Sequence, residues 1–194
     1  VIENRDSRNV IAEIPGTSED GGVVVLGGHY DTVADVQGAN DNGSGIATLL
    51  TIAGEVSDKS YPFTLRFIAF GSEEAGLVGS QFYVDSLTEA ERSEILAMLN
   101  FDALGTGRVV GILGSDALVT SILEVGEKAG TESERRPSLN RGASSDHASF
   151  RPAGIPAAFP LAAAFPRTHT SHASVEFVRP APLCTSHPLA LLSP

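Results

Sequence analysis

A single cysteine, Cys184, stands among the 194 residues of the chain. It excludes an internal disulfide framework and any cysteine-rich zinc finger. A metal site here has to use His, Asp and Glu. Basic residues are also scarce: 13 Lys and Arg face 24 Asp and Glu, for a net charge of −11. That balance argues against a nucleic acid or an anionic membrane as partner, since both recruit basic patches. No apolar run approaches the length of a membrane span. No signal-peptide pattern precedes the first strand candidate, and the only methionine is Met98. Opening at Val1, the sequence reads as a fragment or a processed chain without the N-terminal part of its ancestor, so the missing signal says little about compartment.

What is present suits one globular domain. Hydrophobic residues make up 42% and charged residues 19% of the chain, enough to build a sizeable core. Residues 9–14 (NVIAEI) read as a strand that ends at the turn signal Pro15-Gly16. Residues 22–28 (GVVVLGG) form a continuous β-branched run, the mark of a strand buried on both faces. Ile46, Leu49, Leu50, Ala53 and Val56 recur at helical spacing and predict an amphipathic helix. Further strands are expected over 63–70, 95–101, 109–113 and 155–159, with helices over 77–87 and 117–128. Strands alternating with helices imply an α/β layered fold with a largely parallel sheet. Ligands in such sheets gather at the carboxyl ends of the strands.

Composition changes sharply near residue 159. Residues 1–158 hold 23 of the 24 acidic residues and all 20 glycines, whereas residues 159–194 hold six of the 11 prolines and three of the five histidines. Prolines interrupt that last stretch too often for a regular helix. We divide the chain there, into a domain over 1–158 and an atypical Pro-rich tail over 159–194. The tail reads as poorly ordered or as foreign to the ancestral domain.

Acids and a histidine fall at the ends of the expected strands. His29 and Asp31 follow GVVVLGG, Asp41 and Asn42 sit in the turn GANDNGSG, Glu73 and Glu74 follow FTLRFIAF, and Asp102 follows ILAMLNF. Each has a plainer reading alone. Asp41 and Asn42 could be turn and N-cap residues, Asp31 a chance neighbour of His29, and Asp102 an ordinary strand-end charge. Together on one sheet edge they would repel one another unless a cation offsets them. A metal site is the reading that explains the set.

GGHYDTV, GANDNGSG, FGSEEAGLVGS, NFDALG and SSDHASF, in this order and spacing, resemble metallopeptidase family 28 over residues 8–158. The family includes di-zinc aminopeptidases of the bacterial leucyl aminopeptidase and aminopeptidase Y type. The resemblance implies a three-layer zinc-dependent exopeptidase fold: a mostly parallel mixed β-sheet flanked by helices, here truncated at the C-terminus. It implies that His29 and Asp102 bind one zinc, that Glu74 and a late histidine bind the other, and that Asp41 bridges both. Asp31 would orient His29, and Glu73 would be the general base. Asn42, Asp146 and His147 would be substrate contacts or supports behind the ligands, and the bond between Asp41 and Asn42 would be cis. Two Zn2+ are then balanced by the carboxylates of Asp41, Glu74 and Asp102 with one hydroxide. The implied function is removal of amino-terminal residues from peptides with a free N-terminus, in a secreted or periplasmic setting. The alternatives are a glutaminyl-cyclase-like acyltransferase using one zinc and a non-catalytic binding domain of the same fold.

The family's last histidine is expected in a pattern like His-Thr-x-x-Asp-Thr followed by a long helix. The chain offers His169-Thr170-Ser171-His172-Ala173-Ser174, with Ala173 where Asp is expected and no helix-forming segment after it. His169 is the foremost candidate, then His172, with His187 remote. If none of them is a ligand, one zinc is expected instead of two. The break in composition suggests that residues after about 159 derive from a frameshift or a misassembled gene end. Translating the coding DNA in its other two frames is expected to restore the pattern and a terminal helix. Finding it in neither frame rejects the frameshift.

Overall fold

The apolar runs of the sequence become the middle of one sheet. The computed structural model describes residues 6–137 and 144–162. Its strands are β1 (Val10–Ile14), β2 (Val23–His29), β3 (Thr64–Phe70), β4 (Ile95–Asn100), β5 (Val110–Gly114), β6 (Ser133–Arg135) and β7 (Ala157–Ala162). Its helices are α1 (Gly43–Val56), α2 (Val78–Ser86), α3 (Glu89–Glu94), α4 (Asp116–Lys128) and α5 (His147–Phe150). The strands lie in the order β1-β3-β2-β4-β7-β5-β6. Among the described residues the β3–β2, β2–β4, β4–β7 and β5–β6 pairings are parallel, and β1–β3 and β7–β5 are antiparallel. This is the expected mostly parallel mixed sheet.

Alternation along the strands makes the fold three-layered. Leu65 and Phe67 of β3 turn to one face, where they join Leu49, Ile52 and Val56 of α1 and Val119 and Ile122 of α4. Ile68 and Phe70 turn to the other, where they meet Tyr83 and Val84 of α2 and Phe150 of α5. A period of two therefore loads both faces with apolar side chains, and each face needs helices to cover it. No helix among the described residues is long and apolar enough to cross a membrane.

The structure adds elements with weaker signals. Helix α3 has only six residues and no buried side chain, and a reciprocal capping box between Thr88 and Glu91 holds its start. The polar strand β6 carries no apolar alternation and exists through parallel pairing with β5. Strand β7 continues to Ala162 through the change in composition, with Leu161 and Ala162 paired to Gly111 and Val110.

Register places the functional edge. His29 at the end of β2 lies beside Phe70 at the end of β3, and Gly27 lies beside Asn100 at the end of β4. Three parallel strands thus stop together, and their exit loops emerge side by side. Beneath them the four-residue helix α5 is anchored by Phe150, whose ring centre is 6.1 Å from that of Phe70 and 5.9 Å from that of Tyr83. Phe150→Ala is expected to lower unfolding free energy by about 3–5 kcal/mol in urea denaturation. A loss under about 1 kcal/mol, the size of an ordinary surface effect, contradicts that anchoring role.

Candidate metal centre

His29 is almost wholly buried, 1% exposed, and its two ring nitrogens meet different groups. Nδ1 lies 3.1 Å from the main-chain carbonyl oxygen of Asp31 and 3.6 Å from its Oδ1. With an acceptor there, Nδ1 carries the proton and donates it. Nε2 is left facing Asp41 Oδ1 at 3.1 Å, Asp102 Oδ1 at 3.5 Å and Glu73 Oε2 at 3.9 Å. Three carboxylates from three segments therefore converge on one nitrogen.

Separate devices hold each carboxylate. After β3, Ser72 takes a left-handed conformation (φ 58°) and swings the chain so that the Glu73 and Glu74 N–H groups point at Asp31. The Asp31 carboxylate accepts both, Glu73 at 3.0 Å and Glu74 at 3.2 Å. Asp31 thus ties the β2 exit to the β3 exit, as well as presenting its carbonyl to His29. Two glycines, Gly71 and Gly76, flank the paired glutamates for different reasons. Only Gly76 has a positive φ, 107°. Gly71 is required by crowding, because a Cβ there would lie 2.4 Å from Ser7 Oγ and 2.7 Å from the Arg8 carbonyl oxygen.

The turn before α1 divides its side chains between two tasks. Asn42 caps the helix by accepting from Gly45 N–H at 2.9 Å and donates to the Phe101 carbonyl at 2.9 Å. Asn40 Oδ1 accepts from Gly105 N–H at 2.8 Å, and the Ser44 hydroxyl accepts from Leu104 N–H at 2.9 Å. These bonds lock the turn to the loop after β4, while Asp41 between them faces His29. Space is tight as well: a Cβ on Gly45 would come within 2.1 Å of the Phe101 carbonyl oxygen. The Asp41–Asn42 peptide is cis. On the other side Ala103, beside Asp102, is also left-handed at φ 52°. Such backbone strain at Ser72 and Ala103 is of the kind that gathers where loops are forced to aim functional groups.

Asp146 and His147 begin α5 and are buried. Burial pushes the Asp146 carboxyl up to about 7, against the pull of nearby Ser80 and His29. Burial lowers His147 to about 4, with Arg151 adding to the effect, and its ring packs 4.9 Å from that of Phe159. Asp146 lies close enough to the cluster for its charge to act on Glu73. The sequence did not single out Asn40, Ser44, Asn100 or Ser145. GANDNGSG itself held the signal for the first two, since Asn and Ser around a helix start routinely bond main-chain groups. His169, His172 and His187 lie outside the described residues.

The charges define what the cluster can hold. Burial alone would lower His29, but the carboxylates of Asp102, Asp31 and Asp41 outweigh it and hold the imidazole far above its ordinary range. Burial pushes Glu73 up to about 8, against His29 and with help from Asp146, Asp102 and Glu74. His29 Nε2 and Asp102 Oδ1 are both buried without a hydrogen bond. His29, Glu73 and Asp102 form one group whose ligand atoms lie within 4.8 Å of one another, and His29, Asp41 and Glu74 form a second. Imidazole nitrogen with carboxylate oxygen is a donor set that Zn2+ accepts. The residues present fit a divalent cation.

The model of Peptidase family M28 matches residues 9–184. Aminopeptidase YwaD of Bacillus subtilis is 38% identical over 164 residues, which cover 80% of this chain and 35% of that protein. Leupeptin-inactivating enzyme 1 of Streptomyces exfoliatus is 37% identical over 150 residues, covering 76% of this chain and 34% of that protein. The chain thus spans little more than a third of the length of these curated relatives. The structure of BSAP, a zinc aminopeptidase from Bacillus subtilis, aligns with a TM-score of 0.83 at 32% identity, over 95% of this chain and 48% of that chain. The matched region takes in every described residue of the cluster and the sheet that carries them, and the chain belongs to peptidase family M28.

Proposed function

We propose that this chain carries the metal-binding and proton-transfer machinery of a zinc aminopeptidase that removes amino-terminal residues from peptides. The observation that carries the proposal is the convergence of Asp41, Glu73 and Asp102 on His29 Nε2. The names of the relatives support the substrate class, since they include aminopeptidases and a zinc aminopeptidase. His29 and Asp102 would hold one zinc, and Glu74 with a histidine beyond the described residues, His169 foremost, would hold a second. Asp41 would serve both. Bound zinc supplies Lewis acidity, which acidifies water and polarises a carbonyl.

The remaining chemistry falls to the chain's own groups. Glu73 takes the proton of the attacking water at its carboxylate and returns it to the departing amine as the C–N bond breaks. Burial raises its proton affinity in the metal-free chain, and cations beside it would draw it back toward the ionised form that can accept a proton. Asp31 fixes it by holding its N–H. Surplus carboxylate in the cleft favours a substrate whose free α-amino group is cationic.

Glu73→Gln keeps the shape of the side chain and removes its basicity. In the full protein with zinc, kcat on aminoacyl-p-nitroanilides is expected to fall by about 10²–10⁴-fold or more, with zinc binding retained. Near wild-type turnover in that variant rejects Glu73 as the base.

Stability of the zinc-free protein should follow the same charges. Glu73 at about 8 and Asp146 at about 7 are raised from 4.5 and 3.8, so the folded state holds protons that the unfolded chain releases. Their contribution is complete below the ordinary values and is lost progressively as pH rises from those to the raised ones. His29, also raised, acts in the same direction above its ordinary 6.5. His147, lowered from 6.5 to about 4, acts oppositely and removes stability as pH falls through that window. In chelator, Tm is therefore expected to be highest at about pH 4 and to decline toward pH 8, most steeply above pH 6.5 where His29 adds to the loss, and zinc should lessen the decline. A Tm that rises from pH 6 to 8 in chelator contradicts the charge assignment.

A further inference from the structure

The loop that carries Glu73 and Glu74 is closed at its neck by a residue from the edge of the sheet. Asn9, just before β1, spans both ends of residues 71–79. Its Oδ1 accepts from Gly71 N–H at 3.1 Å, and its Nδ2 donates to the Gly79 carbonyl at 2.9 Å. One end needs an acceptor and the other a donor, and the asparagine amide offers them on two separate atoms at a fixed spacing. The two ends also touch. A Cβ on Gly79 would lie 2.2 Å from the Gly71 carbonyl oxygen and 2.5 Å from Asn9 Oδ1, so a side chain at Gly79 would force the neck apart. The residue before Asn9 is held as well, since the Tyr30 hydroxyl donates to the Arg8 carbonyl at 2.8 Å.

Between its ends the loop is bonded to itself. The Glu73 carbonyl accepts from Gly76 N–H at 2.8 Å and from Leu77 N–H at 2.7 Å, and the Ser72 carbonyl accepts from Val78 N–H at 3.1 Å. A segment stiffened in this way moves as a unit, and its angle on the end of β3 depends on bonds to the rest of the protein. Asp31 holds its tip through the Glu73 and Glu74 N–H groups, and Asn9 holds its neck. One anchor alone would let the unit rock, whereas two fix its angle. Both carboxylates ride on this loop, and a misplacement of about 1 Å at a reacting group can cost about 100-fold in rate.

We infer that Asn9 is a positioning residue for Glu73 and Glu74, acting by clamping the neck of the loop that carries them. The inference rests on the reading of Glu73 as the base and Glu74 as a zinc ligand. A purely structural role, tying β1 to α2, would lower stability in Asn9 variants. It would leave the Glu73 and Glu74 amides, zinc affinity and turnover of the folded protein unchanged. Those two amides bond to Asp31 and not to Asn9, so their protection reports the placement of the loop rather than the lost bonds themselves.

Amide exchange of the full protein, followed by NMR with zinc and in chelator, separates these cases when joined to zinc affinity and kcat on aminoacyl-p-nitroanilides. Asn9→Ala is expected to speed exchange at Glu73 and Glu74 by about 10-fold more than at the amides of α4. Zinc affinity or kcat should fall by about 10–100-fold in the same variant. Asn9→Asp keeps an acceptor for Gly71 and loses the donor to Gly79. It should give an intermediate effect, and it carries the test if the alanine variant does not fold. Exchange that rises by one factor throughout the protein, or at Gly71 alone, overturns the clamp. Opened Glu73 and Glu74 amides with both zinc affinity and kcat as in the wild type overturn the positioning role. Glu73→Gln and Glu74→Gln are the controls for the underlying reading. If the first keeps wild-type turnover or the second wild-type zinc affinity, that reading fails and this inference fails with it. If both controls lose function while the Asn9 variants do not, the inference alone is overturned.

Discussion

Repulsion among buried carboxylates is the constraint on which the rest of this structure depends. Asp41, Glu73 and Asp102 face one nitrogen of His29, with Glu74 and Asp146 near enough for their charges to act on Glu73. Two like charges about 4 Å apart repel by roughly 4 kcal/mol at the effective dielectric of a protein near its surface. A domain has only about 5–15 kcal/mol of net stability, so several such pairs cannot stand uncompensated. Protons offset them in the metal-free chain, where burial first, and the neighbouring carboxylates after it, hold Glu73 and Asp146 high. A divalent cation offsets them better, since it brings two charges to a single point.

Forcing the acids together falls to the hydrogen bonds around them. The parallel register of β2, β3 and β4 brings three exits to one edge, but strand ends alone do not aim side chains. Asp31 fastens the β3 exit by its carboxylate, and Asn40, Asn42 and Ser44 fasten the turn before α1 to the loop after β4. None of these bonds depends on the charge of a cluster member other than Asp31. The geometry can therefore persist whether protons or a cation balance the acids, which is what a preorganised site requires.

Much of this was legible in the sequence because the signals were local. GVVVLGG reads as a buried strand, and His29, Asp41, Glu73, Glu74 and Asp102 stand out as charges placed where apolar runs end. What escaped was either short or non-local. Strand β6 is three polar residues that take their conformation from a neighbour, and α5 is four residues held by Phe150. Ser145 looks like any serine until α5 lands against the end of β4 and brings it to Asp102. The role of Gly71 is hidden for a related reason: glycine marks either a turn or a lack of room, and only the packing of Ser7 and Arg8 shows the crowding. The paired glutamates are also less alike than adjacency suggests. Their side chains enter different donor groups, Glu73 with Asp102 and Glu74 with Asp41, although a single carboxylate holds both of their N–H groups.

The central claim is that a metal cation balances this cluster. Native mass spectrometry of the full protein after zinc loading and desalting tests it most directly, beside a His29→Ala variant. The account predicts about two zinc ions per chain, or one if no late histidine serves as a ligand, with fewer retained by the variant. Recovery of the wild-type protein with no zinc, or equal zinc in both proteins, would contradict it.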